Sequence, residues 1–314
     1  MARIAYLGPE GTFTEAALRQ IAAAGLIPGR AAGDVAPSPV DSSSAALDSV
    51  RDGAADYACV PIENSIEGSV TPTLDSLATG SPLQVFAETT LDIAFSIAIK
   101  PGRSPADVRT LAAFGVAAAQ VRQWVAANLA GATLRPAYSN ADAAQQVAEG
   151  CVDAAVTSPL AVARWGLATL ADGVVDESNA RTRFLLVGPP GPPPPRTGAD
   201  RTSVVLRIDN APGALLAALA EFAVRGIDLT RIESRPTRTG LGTYRFFADC
   251  AGHIDDDAVA EALKALHRRC ADVRYLGSWP TGTPAGALPP PAEEAGRWLS
   301  RLRDGKPDRQ EPQR

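Results

Sequence analysis

The densest run of chemically useful side chains is Asn179-Ala180-Arg181-Thr182-Arg183-Phe184, which leads into Leu185-Leu186-Val187. An amide, two guanidiniums, a hydroxyl and an aromatic ring precede a segment that reads as a buried strand. Ligand sites in α/β folds gather at strand ends, so this cluster is the first candidate for a site. A second polar run, Pro61-Ile62-Glu63-Asn64-Ser65-Ile66-Glu67-Gly68-Ser69, falls between a strand and a helix. A solvated capping loop and a ligand-contacting loop both fit it. A third candidate is the corner Gly8-Pro9-Glu10-Gly11-Thr12. Thr12, with Glu15 three residues on, has capping-box spacing, and the amides of such a corner suit an anion. Taken alone, a plain tight turn is the favoured account. The spacing is neither GxGxxG nor a P-loop, so no nucleotide is expected.

Composition narrows the chemistry. The only histidines, His253 and His267, lie downstream of all three stretches. Chemistry in the upstream part therefore proceeds without histidine, which removes Ser-His-Asp hydrolysis, Cys-His proteolysis and most zinc sites. Four scattered cysteines without CxxC spacing read as free thiols in a cytoplasmic protein. A formal net charge of −5 argues against a nucleic-acid partner but not against a small anion. No signal peptide is visible, and no run reaches the roughly 20 apolar residues of a membrane span.

The elements that must position these residues alternate in type. Strands are expected at residues 3–7, 54–60, 83–87, 92–99, 111–114, 132–136 and 152–156. Helices are expected at 12–22, 41–51, 115–129, 140–149 and 159–165. This alternation implies parallel sheets covered on both faces. Val187-Gly188-Pro189-Pro190-Gly191-Pro192 and the prolines after it read as a stiff linker. Beyond it the order of expected elements is βαββαβ, the ferredoxin-like arrangement, with a helix started by Asn210-Ala211-Pro212-Gly213 and a turn at Thr239-Gly240-Leu241-Gly242. Past Pro280 the chain is rich in proline and glycine. One short amphipathic helix is expected around 293–302 and disorder past Gly305.

Three stretches together resemble the prephenate dehydratases: Gly8-Pro9-Glu10-Gly11-Thr12-Phe13, Pro61-Ile62-Glu63-Asn64-Ser65 with Glu67-Gly68-Ser69, and Thr182-Arg183-Phe184. The downstream part resembles the regulatory ACT domain of those enzymes, through Gly213-Ala214-Leu215-Leu216 and Glu233-Ser234-Arg235-Pro236. One departure is visible. Many relatives carry a His-Pro segment where this chain has Ala113-Phe114-Gly115-Val116-Ala117, so that histidine has no role here.

The resemblance implies an α/β catalytic domain at 2–188, in two lobes like a periplasmic-binding-protein type II domain. A proline-rich linker at 189–201, an α+β ferredoxin-like ACT domain at 202–279 and a largely disordered tail at 280–314 follow. It implies prephenate as substrate and Thr182 as catalytic hydroxyl. Thr12, Asn64, Ser65, Arg183 and Phe184 are its substrate contacts, and Glu63 and Glu67 are candidates for a proton relay. No cofactor or metal is required, because aromatisation drives the reaction. L-Phenylalanine would act as effector on Asn210, Pro212, Gly213, Ala214, Leu215, Glu233 and Ser234, in a homodimer or dimer of dimers. If the strand is regular from Arg181, Thr182 and Phe184 face one way and Arg181 and Arg183 the other. Arg183 then either clamps a substrate carboxylate or pins a neighbouring element. Arogenate dehydration and a non-catalytic amino-acid-binding regulator are the alternative functions.

Overall fold

The computed structural model describes residues 1–31, 33–177, 179–238, 240, 242–289 and 293–305. It divides into two units, Met1–Gly191 and Pro192–Arg314.

The first unit has two lobes, each with its own sheet. Its elements in order are β1 (Ala2–Leu7), α1 (Phe13–Ala23), β2 (Val35–Val40), α2 (Ser43–Arg51), β3 (Tyr57–Asn64), β4 (Gly68–Ser69), α3 (Thr71–Leu77) and β5 (Gln84–Asp92). The second lobe holds β6 (Phe95–Ile99), β7 (Thr110–Phe114), α4 (Gly115–Gln120), α5 (Arg122–Asn128), β8 (Thr133–Ala137), α6 (Asn140–Glu149), β9 (Ala154–Thr157), α7 (Pro159–Arg164) and β10 (Ala168–Val174). Then β11 (Arg181–Gly188) returns to the first lobe. The sheet orders are β2-β1-β3-β11-β5, with β4 hairpinned on β3, and β10-β6-β9-β7-β8.

The sheets are mixed rather than parallel. Strand β11 runs antiparallel to both β3 and β5, and β6 runs antiparallel to both β9 and β10. The reason is the path of the chain. It crosses between lobes twice, at β5 to β6 and at β10 to β11, and a strand arriving from another lobe needs no helical crossover to make it parallel. The crossings touch: Ile93 N–H donates to Ala180 O at 2.7 Å and Arg181 Nε meets Asp92 Oδ1 at 2.7 Å.

Other boundaries differ too. The helix expected over 115–129 breaks at Val121 into α4 and α5, where Asp176 takes the Gln123 N–H on its carboxylate and donates its own N–H to Gln120 O. Strand β2 carries Pro37 and Pro39, which conceal it in the sequence. It sits on the sheet edge beside β1 alone, where missing donors are tolerated.

Helix α1 covers one face of the first sheet. Ala17, Leu18 and Ile21 pack there with Ile4, Tyr6, Cys59, Phe184 and Leu186. Phe13 packs against this core and also against the core of the second lobe, edge-on to Phe95 at 5.7 Å. In that second lobe Asp153 holds the start of β7. Its carboxylate accepts from Arg109 N–H, Thr110 N–H and Thr110 Oγ1 at 2.8–3.0 Å.

The second unit is β12 (Asp200–Arg207), α8 (Ala214–Ala223), β13 (Leu229–Pro236), β14 (Tyr244–Ala251), α9 (Asp257–Arg269) and β15 (Asp272–Pro280), then α10 (Glu293–Arg303). Its sheet is antiparallel in the order β13-β14-β12-β15, and both helices pack on one face over Val204, Leu206, Ala218, Phe222, Val259 and Leu266. This is the ferredoxin-like arrangement. Thr239 and Leu241 of the expected turn, and residues 306–314 of the expected disordered tail, lie outside the described residues.

The hydroxyl of Thr110 and the backbone amides hold the Asp153 carboxyl below its ordinary range. A carboxyl whose folded pKa is depressed contributes stability above its unfolded value of about 3.9, and that contribution is lost as pH falls through the folded value. Asp153→Asn should therefore lower the urea midpoint at pH 7, and the gap to wild type should narrow below about pH 4. A gap independent of pH would contradict this.

Candidate active site

Register on β11 decides what the polar cluster can do. Thr182 lies opposite Asn64 of β3 and Leu91 of β5; Arg183 lies opposite Glu63 and Thr90. Side chains alternate along a strand, so the cluster splits between faces. Thr182 and Phe184 lie on the face that α1 covers, with Phe184 in its core. Arg183 lies on the other.

On the α1 face Asn64 Nδ2 donates to Thr182 Oγ1 at 2.9 Å. The amide orientation is set by its other end, because Asn64 Oδ1 accepts the N–H groups of Ile66 and Glu67 at 2.8 and 2.9 Å. The Thr182 oxygen thus has one donor already, and its own O–H remains to donate elsewhere. Thr182 is 7% exposed, so little water competes for that proton. Asn64 is thereby an orienting partner of Thr182. Ser65 is spent on backbone: its Oγ donates to Asn179 O and accepts from Arg181 N–H, both at 2.9 Å. It ties the β3–β4 turn to the interlobe crossing.

On the opposite face the Arg183 guanidinium pairs with Glu63 at 3.1 Å and with Glu88 at 3.3 Å. Arg183 and Glu88 are both largely buried. Of the two readings left open for Arg183, these pairs favour the one in which it pins β11 to its neighbours. Glu63 pairs with Arg183 on the face opposite Thr182, so a direct relay from it to the Thr182 hydroxyl does not fit this register. Glu67 is exposed in the β3–β4 turn.

A cavity of about 670 Å³ opens between the lobes. The first lobe lines it with Leu7 to Pro9, Thr12 to Thr14 and Pro39 to Asp41, the second with Phe114 and the stretch 138–140, Asp142 and Gln145. Two helices begin in this wall. Thr12 caps α1 by accepting Glu15 N–H, and Ser139 caps α6 by accepting Asp142 N–H. The amides of Phe13, Thr14, Asn140 and Ala141 precede any intrahelical acceptor, and the helix ends add partial positive charge. The lining contains neither lysine nor arginine but carries Asp41 and Asp142, and both helix ends already face a first-turn carboxylate, Glu15 for α1 and Asp142 for α6. Thr12 is the one expected substrate contact in this lining; Asn64, Ser65, Thr182, Arg183 and Phe184 are not part of it. The Gly11 amide, expected to meet the substrate, is instead taken by Glu15 Oε2 at 2.6 Å. Burial, and then Glu15, push the nearby Tyr6 phenol up to about 12.

A family model described as prephenate dehydratase matches residues 4–191, and one for the ACT domain matches residues 202–268. The chain belongs to the prephenate dehydratase family. The prephenate dehydratase of Mycobacterium avium (strain 104) is 86% identical over 308 residues, covering 98% of each chain. That of Mycobacterium tuberculosis (strain ATCC 25618 / H37Rv) is 78% identical over 308 residues, covering 98% of this chain and 96% of its own. Among solved structures, the prephenate dehydratase of Arthrobacter aurescens in complex with L-Phe is 42% identical with a TM-score of 0.86, covering 96% of this chain and all of that one. GqqA, described as a quorum-quenching acylase, is 30% identical with a TM-score of 0.77, covering 88% of this chain and 97% of its own.

The ACT domain of this dehydratase differs locally from expectation. Helix α8 begins at Ala214 with Gly213, at φ +77°, as its N-cap, so Asn210 does not cap it. Pro212 favoured an earlier start, but a left-handed residue after it resets the helix. Ala214 and Leu215 open α8, with Gly213 as its cap and Pro212 immediately before it. Ser234 shares the helix-covered face of the sheet through its pairing with Phe246, while Glu233, opposite Phe247, points to the other. Within one copy, Glu233 is therefore not brought to the start of α8.

The sequence marks Phe13 within a family motif and the start of α6 at Asn140, but it assigns neither of them, nor Glu88, a place at the site. Glu88 had no local signal, since its partner lies 95 residues away. Arg183→Ala strips a buried carboxylate of its cation, and such losses cost about 3–5 kcal/mol. It should lower stability in urea by several kcal/mol, while Arg183→Ala with Glu88→Gln recovers much of the loss. A single variant of wild-type stability with a raised KM would instead make Arg183 a clamp.

Proposed function

We propose that the protein converts prephenate to phenylpyruvate, carbon dioxide and water, with Thr182 as hydrogen-bond donor to the departing hydroxyl. The carrying observation is the Asn64–Thr182 contact, which leaves a shielded threonine proton in the family's Thr182-Arg183-Phe184 motif. In the reaction the ring C–CO2⁻ bond breaks and its electron pair enters the ring. The ring expels the hydroxyl at the far carbon, and that oxygen leaves as water once it has gained a proton. Decarboxylation needs no base, and aromatisation supplies the driving force. The difficult event is departure of hydroxide, so a donor aimed at that oxygen lowers the barrier. Threonine is too weak an acid to be the net proton source; it polarises the leaving group and passes on a proton that originates in water.

The likeness to an acylase raises a hydrolytic alternative. Hydrolysis needs a base to deprotonate the hydroxyl. Here Asn64 donates to Thr182, and the nearest carboxylate on β3, Glu63, is turned away. The lyase reading fits this geometry better.

The ACT domain supports feedback by phenylalanine, the amino acid into which phenylpyruvate is converted by transamination. The L-Phe complex of the Arthrobacter aurescens enzyme supports the same effector here. Leu216 and Val224 on α8 are 72% and 75% exposed and Ile232 on β13 is 48% exposed, which supports pairing of ACT domains in a homodimer or dimer of dimers.

Purified protein with prephenate should form phenylpyruvate without added metal, and saturating phenylalanine should suppress the rate. Thr182→Val should lose about 10²–10⁴-fold in kcat with KM little changed. Turnover of arogenate alone would change the substrate but keep the mechanism. Wild-type kcat in Thr182→Val would remove Thr182 from the reaction.

A further inference from the structure

The proline-rich segment that follows β11 is fastened at both ends. At its start Gly188, the last residue of β11, sits against two aromatic rings. A Cβ there would lie 2.8 Å from Tyr57 Cδ1 and 3.1 Å from Phe86 Cε2. Those rings meet edge-on at 5.9 Å. Three residues on, the Gly191 N–H donates to Gln84 Oε1, on the first residue of β5, at 2.9 Å. The chain thus leaves the catalytic unit held to β5, directly after the strand that carries Thr182.

The second fastening lies within the ACT unit, and a histidine that no reaction uses makes it. His253 is 0% exposed. Its Nε2 lies 3.0 Å from the carbonyl oxygen of Pro194. A carbonyl only accepts, so Nε2 carries the proton and donates it. Nδ1 accepts the Asp255 N–H at 3.1 Å. The Asp256 carboxylate accepts the His253 N–H on Oδ2 at 2.7 Å and Arg196 Nη1 on Oδ1 at 2.8 Å. Asp256 also stands at the N-cap position of α9. Pro194 and Arg196 are therefore tied to the turn that starts α9. That helix shares a core with α8 through Phe222, Val259 and Leu266.

Between the Gly191 and Pro194 fastenings lie only Pro192 and Pro193. Proline fixes φ near −65°, and an extended proline run rises about 3.1 Å per residue. A long flexible linker would absorb a shift of its anchors, whereas two prolines store almost no slack. We propose that residues 189–195 form a taut tether, clamped by His253, through which phenylalanine binding at the ACT domain acts on β11. The proposal rests on the phenylalanine feedback proposed above. A shift at the start of α9 moves the Pro194 anchor. The tether passes that shift to the end of the strand whose register sets Thr182 beside Asn64. His253 is a positioning residue: it acts through Pro194 and takes no part in the reaction.

The test compares wild type with three variants: Gly-Ser-Gly-Ser inserted between Pro192 and Pro193, His253→Leu, and His253→Gln. The insertion adds slack at an exposed point of the chain. His253→Leu removes the donor to Pro194, and His253→Gln keeps an N–H of similar reach. Prephenate turnover is followed with and without phenylalanine, and phenylalanine binding is measured by calorimetry. Saturating phenylalanine should lower kcat/KM at least about 10-fold in wild type and His253→Gln, but less than about twofold in the insertion variant and His253→Leu. All four should bind phenylalanine and keep the basal kcat and KM of wild type. If His253→Leu does not fold, the insertion variant decides. Inhibition of the insertion variant as strong as that of wild type overturns the tether and leaves the effector in place. An insertion variant that no longer binds phenylalanine overturns it too, because slack would then act on the effector site rather than on transmission. A wild type that phenylalanine does not inhibit removes the effector, and the tether with it.

Discussion

Strand β11 enters the first lobe from the second and inserts antiparallel between β3 and β5, and the proposed chemistry depends on the register of that insertion. Opposite residues share a face, so the pairing of Thr182 with Asn64 and of Arg183 with Glu63 separates hydroxyl from guanidinium. One residue of slip would exchange them, burying Arg183 beneath α1 and turning Thr182 to the far side. The register is held from both edges. Arg183 spans Glu63 on β3 and Glu88 on β5, and Ser65 fastens the start of the strand at Asn179 and Arg181. The buried ion pair thus helps hold the register that the proposed role of Thr182 requires, although it lies on the opposite face.

The same strand follows directly on the chain crossing that joins the lobes. Ile93 and Ala180 bond across the two connections, so Thr182 sits two residues from the point about which the lobes are joined. Phe13 closes the space from the α1 side by packing in both cores. The proposed donor is thus a short, buried side chain set in a sheet, without a long mobile stem. A reaction that needs positioning more than acid strength is suited to this.

Local signals were legible in the sequence; pairings were not. The capping box at Thr12 and Glu15, the apolar run after Phe184 and the βαββαβ order downstream each follow from neighbours within a few residues. The three motifs also sufficed to mark the family. What they could not show is which residues meet. Asn64 and Thr182 are separated by 118 positions, and only the antiparallel insertion makes the first an orienting partner of the second. Periodicity places Arg183 opposite in sense to Thr182, whereas the face that Glu63 takes on β3 follows only from its pairing with Arg183. The helix expected to start with Asn210-Ala211-Pro212-Gly213 begins only at Ala214 because Gly213 adopts φ +77°, a conformation that residue type permits but does not announce. The break at Val121 depends on Asp176, a residue of a different segment.

The central claim is that Asn64 acts through the Thr182 hydroxyl. A double-mutant cycle in kcat with Asn64→Ala, Thr182→Val and the pair tests it most directly. If Asn64 only aims that hydroxyl, the double variant will be no slower than Thr182→Val alone. If the two losses multiply in the double variant, Asn64 acts on the substrate independently and the account is wrong.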